Sequence, residues 1–90
     1  MARIRLRVTV FDVLVEVRLR PGIADPEGST IERALPALGF SGITGVSVGK
    51  AFRLKVEAAT ADDAVARADE LARRLLANPV IENATATVVP

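Results

Sequence analysis

Apolar and polar residues alternate from Arg3 to Arg20, but the alternation changes phase once. Ile4, Leu6, Val8 and Val10 share one parity, whereas Phe11, Val13, Val15, Val17 and Leu19 share the other. A one-residue slip turns every later side chain to the opposite face of a sheet. A bulge near Val10–Asp12, or a junction of two strand pieces, is therefore expected. Val13–Leu19 reads as the better core strand. Residues 1–12 read as a strand extension or arm ahead of a domain over 13–90.

Pro21-Gly22 breaks the strand. Asp25 then sits where a helix cap belongs, with Pro26 at the first helical position and Glu27 in the first turn. Ile31, Ala34, Leu35 and Leu38 follow at i, i+3, i+4 and i+7, an apolar helical stripe. Its burial is expected to contribute about 5–8 kcal/mol gross, before entropy. Pro36 removes a backbone bond and predicts a kinked last turn, and Gly39 is placed to end the helix in the left-handed region. Phe40–Gly45 reads as a loop. Val46 and Val48 alternate with Ser47 as a short strand piece, and Gly49-Lys50 reads as a tight turn or bulge. Phe52, Leu54 and Val56 alternate with Arg53, Lys55 and Glu57 in a half-buried strand.

Thr60 caps a second helix, with Asp63 as its capping-box partner. Val65, Ala68, Leu71, Ala72, Leu75 and Leu76 form its expected buried stripe. Glu70 and Arg74 form an i,i+4 pair of favourable polarity. Asn78-Pro79 stops this helix, because the residue before proline avoids the α region. A last strand over Val80–Val89 carries Ala84, Ala86 and Val88 on one face. The order β-α-β-β-α-β predicts an α+β, ferredoxin-like two-layer sandwich, with two helices on one face of an antiparallel four-stranded sheet.

Composition narrows the chemistry. Half of the 90 residues are hydrophobic and 26% are charged, the balance of a globular domain. A chain this short buries only roughly 60–65% of its unfolded surface, so partners that cover more apolar area would add stability. The chain has no Cys, which excludes disulfides and makes the cytoplasm the expected compartment. It also has no His, Tyr or Trp, so the common general base, the common nucleophile and most zinc or copper ligands are missing. Asp and Glu remain, but none is obviously buried or closely paired for acid–base work. No apolar run suits a signal peptide or a membrane span. The net charge of +1 gives no reason to expect strong attraction to a phosphate backbone.

Three stretches, in this order and spacing, resemble the PurS family, the small subunits of formylglycinamidine ribonucleotide synthetase. Val15–Gly28 is similar to the family's opening strand and its Pro-Gly-x-x-Asp-Pro-x-Gly turn. Ala34-Leu35 with Leu38-Gly39-Phe40, followed by Val46–Lys50, resembles the family's helix end and its Val-x-x-Gly-Lys strand end. Leu75–Asn83 resembles its Leu-Leu-Ala-Asn-Pro-Val-Ile-Glu junction. The resemblance covers about Val13–Val89, and Arg3, Arg5 and Arg7 have no counterpart in it.

The resemblance implies a subunit without an active site or cofactor of its own. It would join a glutaminase subunit to a large synthetase subunit, which uses ATP and Mg. The assembled ligase converts formylglycinamide ribonucleotide, glutamine and ATP to formylglycinamidine ribonucleotide, glutamate, ADP and phosphate. Self-association to a dimer or tetramer is implied as well, without nucleic acid or membrane. Asp25, Pro26, Gly28, Gly49, Lys50, Asn78, Pro79, Glu82 and Asn83 are the candidate partner interface. Each also has a local reading as helix-start, turn or helix-stop chemistry. Arg3, Arg5 and Arg7 read as a solvated or edge-protecting strand face, with an electrostatic dock or a nucleic-acid contact as the sharper alternative.

Two other classes share this topology. RNA-recognition modules stack bases on sheet aromatics; the candidate stretch here, Ala51–Val56, offers only Phe52, which has core parity. A small dimeric regulatory module could use the Pro21–Gly28 turn as a pocket wall, which rests on fold analogy alone.

Overall fold

The structure, a computed structural model, describes residues 8–90. The expected roles of Arg3, Arg5 and Arg7 lie outside the described residues. Strand β1 runs over Thr9–Leu19, β2 over Gly49–Ala58 and β3 over Glu82–Val88. Helix α1 spans Pro26–Ala34 and is followed by a 3-10 turn at Pro36–Leu38. Helix α2 spans Ala61–Leu71 and continues as a π-helical turn over Ala72–Leu76. The described strands form one antiparallel sheet in the order β2-β1-β3. The first strand thus lies between the last strand and the strand that precedes α2, as in a split βαβ unit. The α+β class, the antiparallel sheet and the two helices agree with the sequence pattern, but the sheet has three described strands rather than four, because the expected Val46–Val48 strand piece does not pair.

The phase slip in the first strand has a cause other than a bulge. Thr9 to Arg18 pair one-for-one with Ala58 to Gly49, with no extra residue inserted. Phe11, Val13, Val15 and Val17 face the core, and Val13, Val15 and Val17 are fully buried in it. Val10 falls on the opposite face and is 55% exposed. Pairing with β3 begins only at Val13. The strand therefore keeps its register and simply leaves its early valines on the outer face.

Helix α2 lies on the core face of the sheet through small residues. Ala64, Ala68 and Ala72, at i, i+4 and i+8, are buried, whereas Leu71 is 38% and Leu75 is 74% exposed. The expected stripe was too wide and leaned towards the leucines. Alanines let the helix axis approach the sheet closely. The π turn then shifts the phase, so Leu76 packs against the core and Leu75 points away. Thr60 caps α2 as expected, accepting a hydrogen bond from the Asp63 N–H at 3.1 Å. The Glu70–Arg74 pair forms at 3.2 Å, beside a second i,i+4 pair between Asp69 and Arg73 at 3.4 Å.

Helix α1 departs most from the expected packing. It makes no substantial contact with any described strand. The radius of gyration is 18.5 Å, against about 12 Å for a compact chain of this length. Pro36 ends the α-helical hydrogen bonding and Gly39 closes the turn at φ 86°, as the sequence indicates. The stripe itself, however, is not buried: Ile31 is 43% and Leu38 is 70% exposed. Val46–Val48 is not a fourth strand. Its backbone donors are taken by carboxylates of α1 and its cap rather than by a neighbouring strand.

Candidate functional site

The C-terminal end of β1 collects most of the candidate residues at one end of the sheet. Arg18 pairs with Gly49 on one side and Asn83 on the other. Val17 pairs with Lys50 and Leu19 with Glu82. The Arg20 N–H donates to the Ile81 carbonyl at 2.8 Å, which draws in the Asn78–Ile81 turn. Asp25 is tied to the same region through Val48, the residue before Gly49.

Asp25 is both cap and clamp. One carboxylate oxygen accepts the Gly28 N–H at 2.9 Å, and the other accepts the Val48 N–H at 2.8 Å. These bonds from Gly28 and then Val48 hold its carboxyl below the ordinary 3.8, and partial desolvation opposes them only weakly. Pro26 occupies the first helical position as expected. Gly28 is buried because the returning chain crosses it: a Cβ there would collide with the Val46 carbonyl oxygen and come within 2.8 Å of Asp25 Oδ2. Glu32, not anticipated from the sequence, completes the crossing by accepting the Val46 N–H at 3.0 Å.

Gly49-Lys50 is not a tight turn. The two residues open β2, and Gly49 lacks the positive φ seen at Gly22, Gly39, Gly42 and Gly45. A Cβ on Gly49 would lie 2.7 Å from the Val17 carbonyl oxygen, so close strand approach selects glycine there. Lys50 is exposed and takes part in none of the ion pairs among the described residues.

The Asn78–Ile81 turn is self-satisfied, with Glu82 at the start of β3 closing it. The Asn78 N–H donates to Glu82 Oε1 at 2.7 Å, and its side-chain oxygen accepts the Val80 N–H at 3.1 Å. The Asn78 carbonyl accepts from both Ile81 and Glu82. Arg20 grips the Pro79 carbonyl with Nε at 3.1 Å and Nη2 at 2.8 Å. Sequence reading missed Arg20, whose signal was its place at the strand end just before Pro21-Gly22.

The geometry offers support rather than chemistry. Asp25, Glu32, Asn78, Glu82 and Arg20 all bind the chain's own backbone. Among the described residues, no three His, Cys, Asp or Glu side chains are grouped to hold a metal ion. No described helix is long and apolar enough to cross a membrane. Phe11 and Phe52 pack against the core, so the outer face of the sheet presents no aromatic platform for bases.

Residues 12–90 match the family described as PurS: phosphoribosylformylglycinamidine (FGAM) synthase. The chain belongs to the PurS family. A PurS subunit from Archaeoglobus fulgidus is 42% identical over 73 residues, spanning 81% of this chain and 89% of that protein. The crystal structure of the PurS subunit from Thermotoga maritima superposes with a TM-score of 0.83 at 29% identity, covering 92% of this chain and 95% of that one. A chain in the structure of PurLQS from Thermotoga maritima superposes with a TM-score of 0.82 at 30% identity, covering 90% of this chain and 99% of that one. The PurS likeness thus includes the α1 segment as well as the sheet.

Proposed function

We propose that this chain is a non-catalytic scaffold subunit of cytoplasmic FGAM synthase, holding a glutaminase subunit and an ATP- and Mg-dependent synthetase subunit in one assembly. Ammonia released by glutamine hydrolysis becomes ammonium once it reaches bulk water, and ammonium is a poor nucleophile. Fixing the two active sites in register raises the local concentration of ammonia at the formylglycinamide ribonucleotide. The chain contributes rigid geometry, with its sheet end, the Asn78–Ile81 turn and the start of β3 as the candidate contact region. It binds no cofactor, and it self-associates to a dimer or tetramer.

One observation supports this reading above the others. Within a PurS-family chain that lacks His, Cys, Tyr and Trp, Arg20, Asp25, Asn78 and Glu82 near the sheet end are bonded to the chain's own backbone. Such a surface is preorganised for docking and supplies no reactive group. Size-exclusion chromatography with light scattering tests it. The chain is expected to co-elute with the glutaminase and synthetase chains of its own organism, and to hydrolyse neither ATP nor glutamine alone. Failure to co-elute in the presence of glutamine and ATP would contradict the proposal.

A further inference from the structure

Hydrogen-bond parity decides which groups of β3 face outward. The Arg20 N–H donates to the Ile81 carbonyl at 2.8 Å, and the Val89 N–H donates to the Asp12 carbonyl at 2.9 Å. Both bonds fit the register that sets Val13 opposite Val88. In an antiparallel pair, hydrogen-bonded and non-hydrogen-bonded positions alternate. Asn83, Thr85 and Thr87 therefore bond to β1. Ala84, Ala86 and Val88 turn their N–H and C=O groups the other way, along the outer edge of the sheet. Among the described residues no strand pairs with that edge, since β3 ends the order β2-β1-β3.

An open edge is a template for another strand, and proteins usually blunt it with charge, proline or a bulge. The opposite edge strand, β2, carries Lys50, Arg53, Lys55 and Glu57. After Glu82, β3 has none of these devices: it is built of Asn, Ala, Thr and Val, and it pairs with β1 one-for-one. Helix α2 roofs this edge. Asp69 and Arg73 stand beside Ala84, on the flank of α2 opposite Arg67 and Leu71. Val65, one turn before Asp69, shares that flank and is half-buried. The chain turns back after α2 into β3, so Val65 falls towards Val88, itself 38% exposed. The edge thus has a polar end at Ala84 and an apolar end at Val88.

We propose that the free edge of β3 receives an extended segment of a larger subunit, so that the sheet continues across the interface. Backbone bonds to Ala84, Ala86 and Val88 supply the affinity, and the α2 flank supplies the selectivity. The segment that fits is about five residues long and free of proline. It sets an apolar side chain against Val65 and Val88 and a polar one against the Asp69–Arg73 pair. A second copy is the poorer occupant, because twofold antiparallel pairing sets the polar end of each edge against the apolar end of the other. The inference rests on the scaffold role proposed above, and the two can fail separately.

Ala86→Pro tests the edge, because proline there removes one outward N–H and leaves every bond to β1 in place. Circular dichroism checks that the variant folds, and the probes are the glutaminase and synthetase chains of the same organism. The variant should bind them about tenfold more weakly than wild type, with unchanged self-association by sedimentation equilibrium. Wild-type affinity in the folded variant would overturn the edge and leave the scaffold role standing. Weakened self-association would assign the edge to a second copy and overturn the proposal, and a wild-type chain that binds neither probe would overturn both. Hydrogen exchange of the wild-type chain, free and assembled, gives a readout independent of the variant. The Ala84 and Ala86 amides should exchange at least about tenfold more slowly on assembly, with the Thr85 amide, already bonded to β1, as the internal reference. Unchanged exchange at Ala84 and Ala86 contradicts strand addition.

Discussion

At Gly28 the chain tolerates no side chain, although the backbone there is ordinary helix. The Val46 carbonyl occupies the space a methyl group would need, so Gly28→Ala must push two backbone segments apart. Urea denaturation is expected to show a loss of about 1–3 kcal/mol, the usual range for overpacking. Asp25 makes a different prediction. Its folded pKa lies below the ordinary 3.8, so its contribution is fully present above about pH 4 and is lost as pH falls through the depressed folded value. Asp25→Asn keeps an oxygen for the cap but turns an amide donor towards the Val48 N–H. The variant should melt below wild type at neutral pH, and the gap should narrow as the pH drops below 4. The cap was legible in the sequence from Asp25-Pro26-Glu27. The clamp was not, because nothing local indicates that residues 46 and 48 return to α1. Gly49 was misread for the same reason: a strand glycine selected by a facing carbonyl looks in sequence like a turn glycine.

Among the elements, α2 shows how small residues set the position of a helix. Ala68 is buried between helix and sheet, and Leu75 stands in solvent. Ala68→Leu should destabilise by about 1–3 kcal/mol. Leu75→Ser should change stability by less than about 0.5 kcal/mol. Equal effects in thermal or chemical unfolding would contradict the assigned faces. Strands β1, β2 and β3 were readable from period-two alternation, because one face of each is covered and the other is not. The stripe of α1 was equally clear as a helix, yet its expected burial does not occur within the chain. Periodicity reports that a face is apolar and says nothing of which surface covers it. Val46-Ser47-Val48 misled in the same way, since alternation cannot tell a strand ladder from an extended run bonded to carboxylates. The π turn had no sequence signal apart from the surplus of leucines at its end.

The molecule as a whole is an elongated frame with a core built from valines and alanines. Its largest fully buried side chains are Val13, Val15 and Val17. Such a core leaves little stability in reserve, so Val15→Ala, at about 2 kcal/mol, should visibly weaken folding of the isolated chain. Partner subunits that bind only the folded form would offset part of that loss by mass action. The family likeness was legible from three short junctions, and the whole-molecule role follows from what the chain lacks together with what its relatives are. The most direct test is the steady-state rate of FGAM formation by purified glutaminase and synthetase chains, with and without this subunit, using either glutamine or ammonium chloride as nitrogen source. Omitting the subunit should abolish most of the glutamine-dependent rate and leave most of the ammonium-dependent rate. An equal loss with both nitrogen sources, or no loss with glutamine, would contradict the scaffold account.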